Sequence, residues 1–464
     1  MYDTIIIGAG MSGLAAGIRL AHFGQRVCIL ERHTTIGGLN SFYRLRGRNY
    51  DVGLHAVTNY TPRGTKHGPL ARLLRQLRFR WDEFDLSQQL GSAIAFPNVR
   101  LKFNNDIELL ASEVATAFPQ QKDNFQRLLG RIADYDDIDQ AMFEVSAREV
   151  VAGEIDDPLL VEMLFCPLMW YGNAREHDMD WGQFCIMFRS IYLEGFARPI
   201  KGVRLILKKL VRRFRELGGE LKLRCGVKEI RIDGETTPGV VLDDGTQLAG
   251  RRVLSSAGWP ETLKLCNQPT TQQQTGQMSF VEAVCTLDCL PAELDHKETI
   301  VFFNDSDEFH WQRCNDLCDT RTGVVCSPNN FDYPESEIGS SALPEGVIRL
   351  TAIADHEGWQ KLNADTYATE KQDWYDRLTA SAVRFVPDFR PRVIETDMFT
   401  PSTVRRFTWK ENGAVYGAPQ KRLAGTTHLK NLFICGTDQG YVGIVGAIIS
   451  GITVANRHLL TDDL

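Results

Sequence analysis

Residues 3–31 carry a pattern that few folds accommodate. Asp3 to Gly8 is a short β-branched run ended by glycine and reads as a buried parallel strand. Gly8-Ala9-Gly10-Met11-Ser12-Gly13 follows. A helical pattern then runs from Met11 to Phe23, with Gly24 placed to cap it, and a second strand from Gln25 to Glu31. In this G-x-G-x-x-G loop Gly8 permits a tight turn, and Gly10 lets the backbone approach a pyrophosphate. Gly13 lets helix and strand pack closely. The helix N-terminus offers free N–H groups and partial positive charge to a phosphate. Glu31 follows Gly13 by 18 residues, close to the spacing of an acid that binds ribose hydroxyls. Together these features point to a dinucleotide on an α/β sheet. A carboxylate at Glu31 disfavours a 2′-phosphate, so NADP is not expected there.

Farther on the pattern changes. Residues 61–199 hold amphipathic runs at Pro69–Leu77, Asp123–Asp136 and Pro158–Trp170 and read as helical. Gly202–Leu217 is a further amphipathic helix, stopped by Gly218-Gly219. Glu220–Cys225, Lys228–Ile232, Gly239–Asp243 and Gln247–Leu248 read as a strand and a β-meander, with Arg251–Ala257 as another strand. Residues 271–400 alternate strand-like runs (Phe280–Leu287, Thr299–Asn304, Gly346–Ala354) with the helix Tyr367–Val383. Leu432–Gly436 and Ile444–His458 are a last strand and a last helix. No linker separates these parts, so the domains interleave.

Glu31-Arg32, a short spacer and Gly37-Gly38 form a pattern typical of FAD proteins of the glutathione-reductase type. Here the sequence resembles the flavin amine oxidase and phytoene desaturase superfamily. The resemblance implies FAD as cofactor. Glu31 would bind the adenosine ribose, Arg32, Gly37 and Gly38 would lie near the phosphates, and Val227 would contact adenine through its backbone. At the other end, Phe433-Ile434-Cys435-Gly436-Thr437-Asp438 is an apolar strand ending in Gly-x-Asp, and Gly443-Ile444-Val445-Gly446-Ala447 opens a helix. The resemblance implies that Gly436 and Asp438 serve the ribityl chain and that the helix start at Val445 faces the flavin pyrimidine ring. A helix dipole there stabilises negative charge on reduced flavin. In the usual form the acid directly follows the glycine; here Thr437 intervenes.

Tyr50-Asp51-Val52-Gly53-Leu54-His55, Thr400-Pro401-Ser402-Thr403 and Asn412-Gly413-Ala414-Val415-Tyr416-Gly417 resemble segments of carotenoid isomerases and retinol saturases. The resemblance runs from about residue 3 to about residue 458 and is loosest in 61–199 and 271–340. The fold it implies is α/β: a Rossmann-like FAD-binding domain of glutathione-reductase type, with an interleaved α+β substrate domain. Residues 1–60, 200–270 and 400–464 form the first, and 61–199 and 271–399 the second, with a helical cap. The activity implied is an FAD-dependent oxidoreductase acting on carbon–carbon bonds of a long apolar isoprenoid, carotenoid or retinoid-like, by hydride transfer at flavin N5. Desaturation, saturation and isomerisation all stay open. The alternative is a flavin amine oxidase releasing hydrogen peroxide. An isoprenoid carrier built like the Rab GDP-dissociation inhibitors would show damaged FAD motifs, and these are intact.

Several residues carry two readings. His55 is a candidate acid or base near the flavin, or a core histidine bonded to backbone, which is preferred. Tyr416 is a candidate proton donor at the flavin face, or ordinary packing. Trp170, Tyr171, Trp181, Phe184, Met187, Phe188, Tyr192 and Phe196 either wall a tunnel for a long apolar substrate or form core. Arg72, Arg75, Arg78 and Arg80, interleaved with Leu73, Leu74, Leu77, Phe79 and Trp81, suit an anionic membrane surface or a solvated helix face. Cys285, Cys289, Cys314 and Cys318 form two C-x-x-x-C pairs. In a strand that spacing holds sulfurs about 13 Å apart, so buried thiols are expected and no metal.

Composition narrows the partners. With 52 basic and 59 acidic residues and a net charge of -7, nucleic acid is not expected. Eleven cysteines are too irregularly spaced for a disulfide scaffold, and no basic segment precedes the first apolar run, so a cytoplasmic protein is expected, with peripheral contact at a membrane. The uncharged stretches Thr4–Ile18 and Gln439–Asn456 are studded with glycine and are not read as membrane spans. There is no second G-x-G-x-x-G, so electrons pass to or from a quinone, oxygen, a carrier protein or a transiently bound nicotinamide.

Overall fold

The computed structural model describes residues 1–53, 55–135, 145–337 and 343–461. Leu54 of the Tyr50–His55 segment and Asp136, the expected end of one helix, lie outside them. The strand Tyr2–Ile7 is parallel to Val27–Leu30 on one side and to Gln247–Ser255 on the other. Glu220–Lys222 extends this sheet beyond Val27–Leu30, and Leu432–Ile434 joins Gln247–Ser255, again parallel. Chain segments far apart in sequence thus form one sheet. Ile5, Ile6, Cys28 and Ile29 are fully buried. Each such isoleucine contributes about 1.5–3 kcal/mol.

One face of the sheet is covered by the helices Met11–Ala21, Val203–Glu216 and Gly443–Val454. The other face packs on an antiparallel meander, Val227–Asp233 and Thr236–Leu242 with the start of Gln247–Ser255. The sequence pattern divides that last strand in two, at Gln247–Leu248 and Arg251–Ala257. It is one continuous strand. Gln247–Ala249 pairs with the meander and Gly250–Ser255 with the parallel sheet, so Gly250 sits at the switch. Ala249-Gly250 interrupts the strand pattern in sequence, but the backbone bonds there are divided between two neighbours.

A second sheet has the order Val393–Phe399, Ser279–Leu287, Gly346–Ala354, Thr322–Cys326, Ile300–Asn304, Ser92–Ala95, Arg100–Phe103. All its neighbours are antiparallel except Ile300–Asn304 with Ser92–Ala95. Its last two strands come from the region read as helical, which also contributes the small pair Leu86–Gln88 with Ala197–Pro199. These strands have three or four residues each, too few for a period to show. Strand alternation divides the second sheet's faces. Ile348, Leu350 and Ala352 pack on the helix Ala364–Ala382, whereas Arg349, Thr351 and Ile353 point the opposite way. That opposite face meets the helical cap, Pro158–Gly172 and Trp181–Phe188.

The arginine-bearing helix is Gly68–Leu77, and Leu70, Leu73, Leu74 and Leu77 are buried in the same core as the first helix. Its apolar face is therefore used internally, and Arg72 and Arg75 stand on a solvated face. Among the described residues no helix is long and apolar enough to cross a membrane.

Candidate functional site

The glycine loop closes as its sequence requires. A Cβ at Gly13 would stand 2.3 Å from the Gly8 carbonyl oxygen, so only glycine lets this helix start lie on the strand. Gly10 forms a parallel bridge with Gly37, whose φ of 112° is left-handed. The double glycine thus comes back beside the loop. The helix Met11–Ala21 has Gly10 as its N-cap and no side-chain cap, and Gly443–Val454 likewise starts without one. Both N-termini open onto a single cavity of about 600 Å³, lined by Gly10 and Met11 from one and by Gly443 and Ile444 from the other. Uncapped N–H groups and dipole ends make both places suited to negative charge.

Gly8, Gly10, Glu31, Arg32, Gly37, Gly38, Val227 and Gly436 all line this cavity. The Glu31 carboxylate accepts from the Ala9 N–H at one oxygen and the His33 N–H at the other, each at 2.9 Å. Arg32 donates to the Val227 carbonyl at 2.8 Å, pairs with Asp243 at 2.9 Å and lies over the Trp409 ring. Gly436 abuts the first helix, since a Cβ there would be 3.2 Å from Ser12 Oγ. The two ends of the chain therefore meet.

Three of the expected cofactor residues do not reach the cavity wall. Gly13 lies behind it, as a packing glycine should. Val445 is buried in the helix–sheet core, and Gly443, Ile444 and Ala447 present that helix to the cavity. Asp438 is also turned away: Oδ2 accepts from the Trp259 N–H at 2.7 Å and Oδ1 from the Ala418 N–H at 2.6 Å. The intervening Thr437 takes the wall position, and the acid, one place later, faces a buried cation. That cation is Lys410, with Nζ 3.4 Å from Asp438 and 3.7 Å from Glu261. Burial alone would raise the Asp438 carboxyl, but Lys410 and Lys421 hold it below the ordinary value. Glu261 goes the other way, because burial outweighs its share of Lys410. No spacing in the sequence marks Lys410.

Beyond the dinucleotide end the wall turns apolar, with Trp170, Tyr171, Phe280, Val324, Val415 and Tyr416. Of the eight crowded aromatic and methionine side chains only Trp170 and Tyr171 take part. The other six fill the cap core, with ring contacts such as Phe165–Phe184 at 4.9 Å and Phe188–Tyr192 at 4.8 Å. They do not wall a tunnel. The Tyr416 hydroxyl donates to the Trp170 carbonyl, which fixes it on the wall, and burial pushes its phenol up. Below it Lys421 donates to the Tyr416 carbonyl at 2.6 Å, and burial pulls that ammonium down to about 8.

His55 lines the cavity, and its side-chain partner is not backbone: Nε2 is 3.1 Å from Thr351 Oγ1 and 3.7 Å from Glu282 Oε1. Burial lowers its pKa. Glu282 is paired with Arg349, which holds the carboxylate below its ordinary value against the opposing effect of burial. Two opposite charges isolated in apolar strands, Ser279–Leu287 and Gly346–Ala354, were the sequence signal for this pair. All eleven cysteines are free thiols; Cys285 and Cys289 are buried, with Cys285 Sγ 3.5 Å from the Tyr375 hydroxyl.

A family model described as flavin containing amine oxidoreductase matches residues 11–459. Among curated proteins, the chain is 22% identical to prolycopene isomerase, chloroplastic, of Daucus carota, over 98% of this chain and 80% of that one. It is 23% identical to all-trans-retinol 13,14-reductase of Danio rerio, over 98% and 86%. Among solved structures it resembles an oxidoreductase from Methanosarcina mazei with a TM-score of 0.68 at 15% identity, covering 98% of this chain and 99% of the other.

Proposed function

The chain belongs to the flavin containing amine oxidoreductase family and is an FAD-dependent oxidoreductase, and we propose that it acts on carbon–carbon bonds of a long apolar isoprenoid. The observation that carries this reading is the single cavity joining the dinucleotide end to a wall of Trp170, Tyr171, Phe280, Val324 and Val415. Bound FAD supplies hydride acceptance or donation at N5. The chain's own groups bind and orient. The two uncapped helix N-termini meet negative charge, Glu31 meets ribose hydroxyls, and the aromatic wall holds the hydrocarbon and excludes water. The carboxylates on the cavity wall are engaged: Glu31 by two backbone N–H groups, Glu282 by Arg349 and Asp397 by the Tyr43 hydroxyl at 2.6 Å.

The test is anaerobic mixing of oxidised and of reduced holoenzyme with a carotene and with retinol, followed by product analysis. A shifted polyene spectrum is expected. Peroxide release from an amine panel in a parallel assay with oxygen present, with no polyene changed, would overturn the reading.

Glu31→Gln tests the cofactor end. Both carboxylate oxygens already accept from backbone N–H groups. An amide would turn its NH2 towards one of them and lose charge towards the ribose. The expected loss of FAD affinity is about 10- to 100-fold, read by titrating apoprotein with FAD and following flavin fluorescence.

A further inference from the structure

The cavity-facing side of the second sheet is apolar except for one band and for Asp397 on the edge strand Val393–Phe399. Phe280, Val324 and Ile353 are hydrophobic, but among them stand Glu282, 4% exposed, and Arg349, 2% exposed. Glu282 is the cross-strand partner of Thr351, and Arg349 lies diagonally beside it, opposite Val284. His55 closes over them from the turn after the strand Arg48–Asp51. His55, Glu282 and Thr351 all line the cavity. Behind them Arg198 donates to the His55 carbonyl at 3.1 Å and pairs with Asp51 at 2.7 Å.

A buried ion pair contributes little to stability, because well-packed hydrophobic groups of similar volume do as well or better. Its place on the wall of an apolar cavity asks for another reason. A pure hydrocarbon lying there would bury the open side of a carboxylate and an imidazole against CH groups, at a cost in desolvation. The charges also define what fits. Two guanidinium groups balance two carboxylates, a third carboxylate, Asp397, accepts from the Tyr43 hydroxyl with Lys371 3.9 Å away, and burial keeps the imidazole neutral. A ligand carboxylate would meet Glu282, and a ligand ammonium would find that carboxylate already neutralised. A hydroxyl can donate to Glu282 and accept from His55 or Thr351.

We propose that His55, Glu282 and Thr351 form a docking site for a hydroxyl group on an otherwise apolar isoprenoid substrate. The site rests on the functional reading above and narrows it: the substrate is an alcohol, not a hydrocarbon. Arg349 positions Glu282, and Arg198 positions the His55 backbone.

The test uses purified holoenzyme, tryptophan fluorescence and flavin absorbance. The probes are a twenty-carbon polyene alcohol, its methyl ether and the hydrocarbon of the same length. The alcohol is expected to bind about 10- to 100-fold tighter than the hydrocarbon, with the ether close to the hydrocarbon. Glu282→Gln is expected to remove most of that advantage. Thr351→Val conserves shape and keeps the test valid where Glu282→Gln does not fold. It is expected to weaken the alcohol about 3- to 10-fold and to leave the hydrocarbon unchanged. Equal affinity for alcohol and hydrocarbon overturns the docking site while leaving an isoprenoid enzyme. So does a Thr351→Val variant that weakens both alike. Flavin-loaded protein that binds none of the three overturns the isoprenoid reading, and the docking site with it.

Discussion

Gly13→Val is expected to yield protein without flavin. The substituent has nowhere to go. A Cβ at Gly13 meets the Gly8 carbonyl oxygen at 2.3 Å, Ser256 Oγ at 3.2 Å and Ile6 Cγ2 at 3.3 Å. The first of these is backbone in the turn itself, so no side-chain rotation relieves it. The helix Met11–Ala21 cannot retreat either, because a Cβ at Gly451 of the last helix would lie only 2.0 Å from the Ser12 carbonyl oxygen. Two close crossings hold this helix from both sides. Overpacking of this kind costs about 1–3 kcal/mol or more. A shift of about 1 Å also moves the uncapped N–H groups off the phosphate position, worth about 100-fold in function. The measurement is the flavin-to-protein ratio after purification, together with the thermal midpoint with and without added FAD. Wild type should be yellow and stabilised by FAD; the variant should be colourless and unresponsive. Gly24→Ala is the control: its φ of +76° carries a strain of about 1 kcal/mol, but nothing lies within 4 Å, so flavin should be retained. A yellow Gly13→Val protein with an unchanged midpoint would show that the loop does not grip the cofactor.

The dinucleotide end was legible in the sequence because its chemistry is written in contiguous residues. A β-branched strand, three glycines at fixed offsets and an acid at the end of the next strand each have one physical use. The helix Val203–Glu216 and the strands Ser279–Leu287 and Gly346–Ala354 were legible for a similar reason, since long elements repeat their period often enough to be read. The short strands within the region read as helical were not. Ser92–Ala95 and Arg100–Phe103 owe their conformation to pairing with each other and with Ile300–Asn304, about 200 residues on.

The far end of the cofactor site shows how side-chain direction escapes a motif. Gly436 and the helix after it stand where the pattern puts them, yet one inserted threonine rotates the acid inward. The expectation for Asp438 came from resemblance, and the direction of its carboxylate depends on Trp259, Ala418 and Lys410, which come from other segments. The substrate end was least legible. Phe184, Phe188 and Tyr192 have helical spacing and large apolar faces, which serve a core and a tunnel equally well. Which neighbour covers them decides the matter, and in this chain it is the cap's own helices. By contrast, Glu282 and Arg349 are single charges inside apolar strands, and each alone breaks the pattern that makes its strand recognisable.

Lys410→Met is expected to lose about 3–5 kcal/mol of stability at neutral pH, the cost of removing one partner from a buried ionic cluster. Methionine keeps the stem and much of the volume, so the effect isolates the charge. In the native protein Asp438 and Glu261 share the Lys410 ammonium at 3.4 and 3.7 Å. Burial alone would lower the Lys410 pKa, but the two carboxylates outweigh it and hold it above its ordinary value. The direction of the pH effect separates charge from packing. In wild type the Asp438 pKa is depressed below 3.8, so its contribution is present above that value and fades only as pH falls through the depressed one. Without Lys410, two carboxylates are left buried near each other, with Lys421 still acting on Asp438 alone. The Glu261 pKa, already raised above 4.5, rises further, and that of Asp438 rises as well. A raised folded pKa means that stability is intact below the ordinary carboxylate range and is lost as pH climbs through the raised values. The gap between variant and wild type should therefore be smallest near pH 4.5 and widen towards pH 8, which thermal midpoints across that range will measure. Lys410→Arg, which keeps the charge, should recover part of the loss at every pH. A gap that stays constant with pH would mean that Lys410 acts through its hydrocarbon stem. One that widens towards acid would mean that the native wild type binds more protons than the native variant, which overturns the ion-pair account.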